Sequence, residues 1–202
     1  MMTAYTETEI KLYVPDHAPV IAALESAGAV VSAERVLERN TRYDTPEQAL
    51  RARHAVLRLR ADTRVRLTYK DGERQAEAFG TTRFEAEVDV SNFDVMEVIL
   101  GRLGYVPVMG YEKYRTTYVL YDTEITLDEM PYGNFVEIEG QSAAIGRVIE
   151  RLGLRDAVVM RASYVVLFEN VRRNLGLSFT DLTFENFTGI DVPLRAFNAD
   201  ET

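Results

Sequence analysis

The chain contains no cysteine. Disulfides and thiolate metal centres are excluded on that ground. Histidine is almost as scarce: His17 and His54 are the two present, which argues against a histidine zinc site or a Ser-His-Asp triad. No run of about 18 apolar residues occurs, so no membrane-spanning helix is expected. The opening MMTAYTETEIKL has neither a basic n-region nor an apolar h-region. It is not expected to act as a signal peptide, and a cytoplasmic enzyme is the default. A basic excess is also missing. The net charge of −9 argues against a protein that coats duplex nucleic acid, while leaving room for a local basic pocket. Lysine is the last scarcity: of 23 basic residues, only Lys11, Lys70 and Lys113 are lysines. All three fall in strand-like segments beside alternating charges, positions suited to a compact ammonium rather than a guanidinium fork.

What is present is ordinary in bulk. The 202 residues are 47% hydrophobic and 27% charged, enough for one sizeable soluble domain with a real core. One domain over 1–202 is expected, with a core of about 5–170 and a C-terminal helix and Phe-rich tail over 163–202. Three segments read as strand followed by helix. Glu7 to Val14 is followed by an Asp16 cap, the stripe Val20, Ile21 and Leu24, and a stop at Gly28. Arg83 to Val90 is followed by Ser91 and Asp94 as a weak capping box, with Phe93, Met96, Ile99 and Leu103 at helical spacing. Phe135 to Glu139 is followed by a Ser142 cap and the stripe Ile145, Ile149 and Leu152. Each strand carries Glu-x-Glu, a loose internal repeat. Further strands are expected at Arg35 to Thr45, Val56 to Arg60, Arg64 to Lys70, Lys113 to Tyr121 and Ile125 to Met130. The count of about eight predicts an α+β fold, a closed eight-stranded antiparallel β-barrel with helices packed outside. An amphipathic helix starts at Ser163. The tail with Phe179, Phe184 and Phe187 is expected to pack back on the domain and to fray past about Ala196.

Residues two apart on a strand share a face. Glu7, Glu9 and Lys11 therefore point one way, as do Arg58 with Arg60, Arg64 with Arg66, Thr68 and Lys70, and Lys113 with Arg115 and Thr117. Glu85 shares a face with Glu87, and Glu137 with Glu139. Taken singly, each is the solvated face of an amphipathic strand. Taken together, they conflict with the helices, whose apolar stripes need an apolar sheet face to cover. The charged faces are therefore expected inside the barrel. Isolated buried charges cost several kcal/mol each, so such a lumen must be wet and internally paired. Arginines and lysines in that number suit a polyphosphate. Carboxylates among them suit Mg²⁺ or Mn²⁺, which take oxygen ligands. No Walker A motif or glycine-rich phosphate loop is present, so side chains must hold the phosphate.

These motifs resemble, in order, those of the CYTH or triphosphate tunnel metalloenzyme superfamily, which includes class IV adenylate cyclases, thiamine triphosphatases and inorganic triphosphatases. ETEIK is similar to its ExExK signature at Glu7, Glu9 and Lys11. TRYDTP resembles YFDTP, with Tyr43 and Asp44 in place. VLRLR, LTYK, RFEAE, KYR and LDEMPYGNFVEIE supply Arg58, Arg60, Lys70, Arg83, Glu85, Glu87, Lys113, Arg115, Asp128, Gly133, Glu137 and Glu139. The resemblance runs from Glu7 to about Phe168. It implies a tunnel that binds triphosphate through Lys and Arg and a divalent metal through Glu. One departure is RASY, where family members often carry lysine before SY: Arg161 keeps the charge but cannot serve as a base.

The leading expectation is metal-dependent triphosphate hydrolysis. Its catalytic set is Glu7, Glu9, Lys11 and Lys70. Substrate contacts are expected from Lys11, Arg58, Arg60, Arg64, Arg66, Lys70, Arg83, Lys113, Arg115 and Arg161. The metal is expected on Glu7, Glu9, Glu85, Glu87, Asp128, Glu137 and Glu139. Tripolyphosphate, ATP and thiamine triphosphate are the candidate substrates. Two alternatives stand beside it: a class IV adenylate cyclase working in the same site, and a non-catalytic polyphosphate or nucleotide sensor. Neither duplex nucleic acid nor membrane is an expected partner, and a homodimer is possible.

Overall fold

The computed structural model describes residues 6–76 and 81–198, with side chains from residue 8 onward except those of 73–76 and 81–83. The backbone is an α+β fold built on one antiparallel sheet. Its strands are β1 (Thr6–Val14), β2 (Val30–Asp44), β3 (Val56–Ala61), β4 (Val65–Ala76), β5 (Thr81–Val90), β6 (Val106–Leu120), β7 (Thr123–Met130), β8 (Gly133–Glu139) and the short β9 (Val158–Val159). They follow the order β5-β4-β3-β2-β6-β7-β8-β1-β9. A further pairing, Thr6↔Phe84 through Glu9↔Thr81, joins β1 back to β5. The first eight strands thus return on themselves, and β9 extends the free edge of β1 beyond β5 at Leu12↔Val159. The barrel expected from the alternation is present. Strand β4 runs on to Ala76, past its expected end at Lys70, and β2 and β6 begin earlier than their alternation suggests, at Val30 and Val106. Register breaks in their pairing, at Val31/Ala33, Ala33/Val36 and Arg42/Tyr43, interrupt the period-two pattern that marks a strand in sequence.

The helices are α1 (Ala18–Ala27), the single turn α2 (Ala49–Ala52), α3 (Phe93–Arg102), α4 (Ser142–Arg151) and α5 (Tyr164–Leu175), followed by a 3-10 turn at Leu194–Phe197. Their apolar faces cover the outside of the barrel. Ile10, Leu12, Val14, Ile125, Leu127, Val136 and Ile138 point outward and form one core with Val20 and Leu24 of α1 and Ile145, Val148 and Ile149 of α4. A second outer core joins Tyr43, Leu57 and Leu59 to Leu100, Phe93 and Met96 of α3. Here the expected stripe is corrected: Leu103 is 68% exposed and Leu100 takes the inward place. The hydroxyl of Tyr43 donates to Glu97 at 2.5 Å and fixes the rotation of α3. The cap also moves by one residue, from Ser91 to Asn92, whose side chain accepts the Val95 N–H at 2.9 Å.

The third core closes one end of the barrel. Tyr132 and Phe135 meet Tyr164, Leu167, Phe168 and Val171 of α5, with Leu182, Phe187, Ala196 and Phe197 from the tail. Ser163 caps α5 as its position suggests, accepting the Val166 N–H at 3.3 Å. The tail is tied to β6 by backbone bonds, Glu112 N–H to Leu182 O at 2.9 Å and Leu182 N–H to Gly110 O at 3.0 Å. Fraying does not begin at Ala196: Phe197 is 3% exposed, and the last four residues lie outside those described. Among the described residues no helix is long and apolar enough to cross a membrane.

Candidate active site

Alternation along each strand sends the apolar residues out and the charged ones in. The lumen and its flanks form a cavity of about 1540 Å³, lined along its length by Glu9, Lys11, Glu38, Arg58, Arg60, Arg66, Lys70, Glu85, Glu87, Lys113, Arg115, Glu137 and Glu139. The three Glu-x-Glu strands turn out to be neighbours, in the order β8-β1-β5. They make an acidic wall, and most of the basic residues face it from β3, β4 and β6.

The two walls are tied together by ion pairs. Asp128 of β7 is fully buried. Its Oδ1 accepts from Arg115 Nε at 2.6 Å. Its Oδ2 accepts from Lys113 at 2.9 Å, from Arg115 Nη2 at 2.6 Å and from the Tyr164 hydroxyl at 2.8 Å. Arg115 also reaches Glu137 at 2.6 Å, and Glu137 pairs with Lys11 at 3.3 Å. Lys11 lies 3.9 Å from the centre of the Tyr164 ring and donates to Ala162 O at 3.3 Å. Arg60 bridges Glu38 at 3.1 Å and Glu87 at 2.9 Å. Arg66 pairs with Asp62 and with Glu87 at 3.4 Å. Arg58 donates to the Tyr111 hydroxyl and to Thr68, both at 3.2 Å. Lys70 pairs with Glu85. Burial alone would raise the carboxyl pKa values, yet the surrounding cations win. Lys113, Arg115 and Arg60 pull Glu38 down to about 2, and Arg60, Thr68, Arg58 and Arg66 do the same for Glu87. Glu137 is held well below the carboxylate range by Lys11 and Arg115, and Asp128 is lowered by Arg115 and Lys113, each against burial.

A different electrostatic region lies toward one side. Glu9, Glu139 and Glu124 stand directly opposite one another on β1, β8 and β7, through Glu9↔Glu139 and Glu124↔Glu139. Like charges at opposed positions repel. Burial, then Glu124 and Glu9, push the Glu139 carboxyl up to about 7. Among the described residues no three acidic or histidine side chains converge as a closed metal cage would. The row instead suits an ion of the Mg²⁺ kind, which takes one or two carboxylates and keeps waters and phosphate oxygens for the rest.

The structure brings together Glu9, Lys11, Arg58, Arg60, Arg66, Lys70, Glu85, Glu87, Lys113, Arg115, Asp128, Glu137 and Glu139 around one lumen. Arg64 stands at the exposed rim, paired with Asp89 at 3.2 Å, and Arg161 is an exposed residue of the lining. The side chains of Glu7 and Arg83 lie outside the described residues; their backbones pair across β1 and β5. Sequence reasoning missed Glu38, Glu124, Tyr111 and Tyr164. Glu38 had a signal, since it alternates with Asn40 and Arg42 along β2. It is 2% exposed and faces three cations.

Comparison with known proteins follows the same outline. The sequence model of the CYTH domain matches residues 5–150. Among the curated proteins none matches the chain significantly. Solved structures do. A candidate adenylate cyclase from Vibrio parahaemolyticus aligns at 23% identity and a TM-score of 0.65, covering 80% of this chain and 97% of its own. A Pyrococcus horikoshii protein aligns at 27% identity and 0.62, covering 81% and 98%. A Hippeastrum protein, described as a candidate adenylyl cyclase with a dominant triphosphatase activity, aligns at 14% and 0.59, covering 81% and 94%.

Proposed function

The chain belongs to the CYTH domain family, and on that premise we propose that it hydrolyses an inorganic or organic triphosphate inside the barrel with the help of a divalent metal. The division of charge in the lumen carries this reading. Cations converge on the cavity from four strands, β1, β3, β4 and β6, and a row of mutually repelling carboxylates stands beside them. The triphosphatase activity named for the Hippeastrum protein of this fold favours hydrolysis over cyclisation.

In this reading Lys11, Arg58, Arg60, Arg66, Lys70, Lys113 and Arg115 bind phosphate oxygens. Each is already held by a carboxylate or hydroxyl, so substrate would exchange one set of ion pairs for another. That exchange leaves no buried cation without a counter-charge at any stage. Asp128, Glu87 and Glu137 act as the resident counter-charges rather than as metal holders. Asp128 is the clearest, since both of its oxygens are occupied by donors. Glu9, Glu124 and Glu139, with Glu7 on the same strand as Glu9, would hold Mg²⁺ or Mn²⁺. When bound, the ion supplies charge neutralisation at the phosphates and an oriented, more acidic water. The protein's share is then positioning and charge stabilisation. Tyr164 and the aromatic plug behind it exclude water from one end of the lumen.

The test is product analysis with tripolyphosphate, thiamine triphosphate and ATP, each with Mg²⁺ or Mn²⁺. Orthophosphate release is expected. Cyclic AMP with pyrophosphate from ATP would replace hydrolysis by cyclisation, and binding without products would make the chain a sensor. Glu9→Gln is expected to abolish turnover with the circular dichroism spectrum unchanged. Full activity of that variant in Mg²⁺ sinks the assignment.

A further inference from the structure

Beyond the ring of paired cations, the cavity continues between β2, β3 and α5, where its lining includes Arg42, Arg51, His54, Glu169 and Arg172. Arg42 shares the inner face of β2 with Glu38, four residues away, or roughly 13 Å along the strand. Directly across from it in register is Arg58 of β3. Opposed like charges on one face of a sheet destabilise it unless an anion lies between them. Of this pair, Arg58 has a lumen carboxylate within reach, Glu87 at 3.8 Å. Among the described residues the Arg42 guanidinium has no hydrogen-bond or ion-pair partner, whereas Arg60, Arg66 and Arg115 each have a carboxylate. The nearby acids are committed elsewhere. Asp44 accepts the N–H groups of Thr45, Leu50 and Arg51 at 2.7 to 2.9 Å, and Glu169 pairs with Arg51 at 3.3 Å. Arg172 Nε is buried without a partner, and so is Arg58 Nε. Burial lowers the Arg42 pKa, and Arg58 and Arg51 lower it further, with Tyr111 and Glu169 opposing in part. The pairing of β2 with β6 breaks register between Arg42 and Tyr43, and such irregularities commonly re-aim side chains beside binding sites.

We propose that Arg42, opposed to Arg58 and flanked by Arg172, forms an anion subsite beyond the triphosphate ring, which takes the fourth phosphate of a linear polyphosphate chain. The inference rests on the proposed function and extends it. A chain of three phosphates fills the ring and leaves Arg42 without an anion. A chain of four continues along the inner face of β2 and β3 and places a phosphate oxygen between Arg42 and Arg58, where bidentate guanidinium contacts favour it.

Calorimetric affinities for tripolyphosphate and tetrapolyphosphate in EDTA read this without turnover. Tetrapolyphosphate is expected to bind wild type about tenfold or more tightly than tripolyphosphate, the gain of one charged hydrogen-bonded contact. Arg42→Gln is expected to lose that gain, while its tripolyphosphate affinity changes by no more than about threefold. Arg42→Lys is expected to restore part of it, and thermal melts check that both variants fold. Adenosine tetraphosphate against ATP makes the same comparison for a nucleotide-capped chain. A gain in the inorganic series alone assigns the subsite to free polyphosphate, and a gain in both assigns it to any chain of four phosphates. If tripolyphosphate binds and is hydrolysed but the longer chain shows no gain, or Arg42→Gln weakens both alike, the subsite is refuted and the triphosphatase reading stands. If neither chain binds, both are refuted.

Discussion

Asp128→Asn removes one charge from the middle of the lumen and changes almost no volume. In the native barrel that carboxylate takes four donors, two from Arg115 and one each from Lys113 and Tyr164. An amide offers its own N–H groups to two cations, so it repels where the carboxylate attracted. Removing one partner of a buried ion pair costs about 3–5 kcal/mol. For a chain of this size each kcal/mol shifts Tm by about 2–4 °C, so a loss of about 6–20 °C is expected at pH 7. The pH dependence provides a second reading. The Asp128 pKa is depressed in the folded state, so its stabilisation is complete above the unfolded value of about 3.9 and is lost as pH falls through the folded one. The gap between wild type and variant should therefore be widest near neutrality and close in acid. Tripolyphosphate should narrow it too, since phosphate oxygens take over the donors of Arg115 and Lys113. Calorimetric melts from pH 3 to 7.5, with and without tripolyphosphate, measure all three effects. A Tm loss below about 2 °C at pH 7, or a gap unchanged in acid, refutes the view that Asp128 is the counter-charge of the lumen.

Glu139 predicts the opposite slope. Its carboxyl is raised to about 7 by burial and by Glu124 and Glu9, so the folded protein holds a proton that the unfolded chain has released. Its contribution is favourable below about pH 4.5 and lost as pH rises through 7; in EDTA, Glu139→Gln should equal wild type at pH 5 and exceed it by roughly 2 kcal/mol at pH 8, after allowance for solvent screening. Equal melting temperatures at pH 8 would count against the repulsive carboxylate row. Phe197 packs its ring 5.3 to 5.9 Å from those of Tyr132, Tyr13 and Phe135. Phe197→Ala should cost about 3–5 kcal/mol in urea denaturation, and a cost under 1 kcal/mol would show that the tail only rests on the barrel.

Period-two alternation was enough to read the barrel, because one face of each strand meets helices and the other meets charge. Charges such as Arg58 and Arg60, or Glu137 and Glu139, declare their shared face by spacing alone. Their partners are another matter. That Arg60 meets Glu38, or that Tyr164 closes on Asp128 from 36 residues away, depends on strand order and on where α5 docks. Neither is encoded in local spacing. The exposed Leu103 and the buried Leu100 show the same limit: both fit a helical stripe, and it is Leu100 that joins the core with Tyr43, Leu57 and Leu59. Glu124 stood outside every motif, and its place beside Glu139 comes from the pairing of β7 with β8.

The closure of the barrel has a consequence for how the protein is made. Strand β1 is synthesised first, yet its partners are β5 and β8, with Lys11 set against Glu137. A nascent chain must carry β1 with both edges unpaired until most of the sheet has left the ribosome. The aromatic plug arrives later still, from α5 and the stretch ending near Phe197. Pairings at such separation fold slowly, and open strand edges invite association with other chains. The charged inner face is protective in this interval. A strand with Glu9 and Lys11 on its inner face is less prone to stack on other chains while it waits. The residues that would grip substrate in the finished barrel thus also guard its unfinished form.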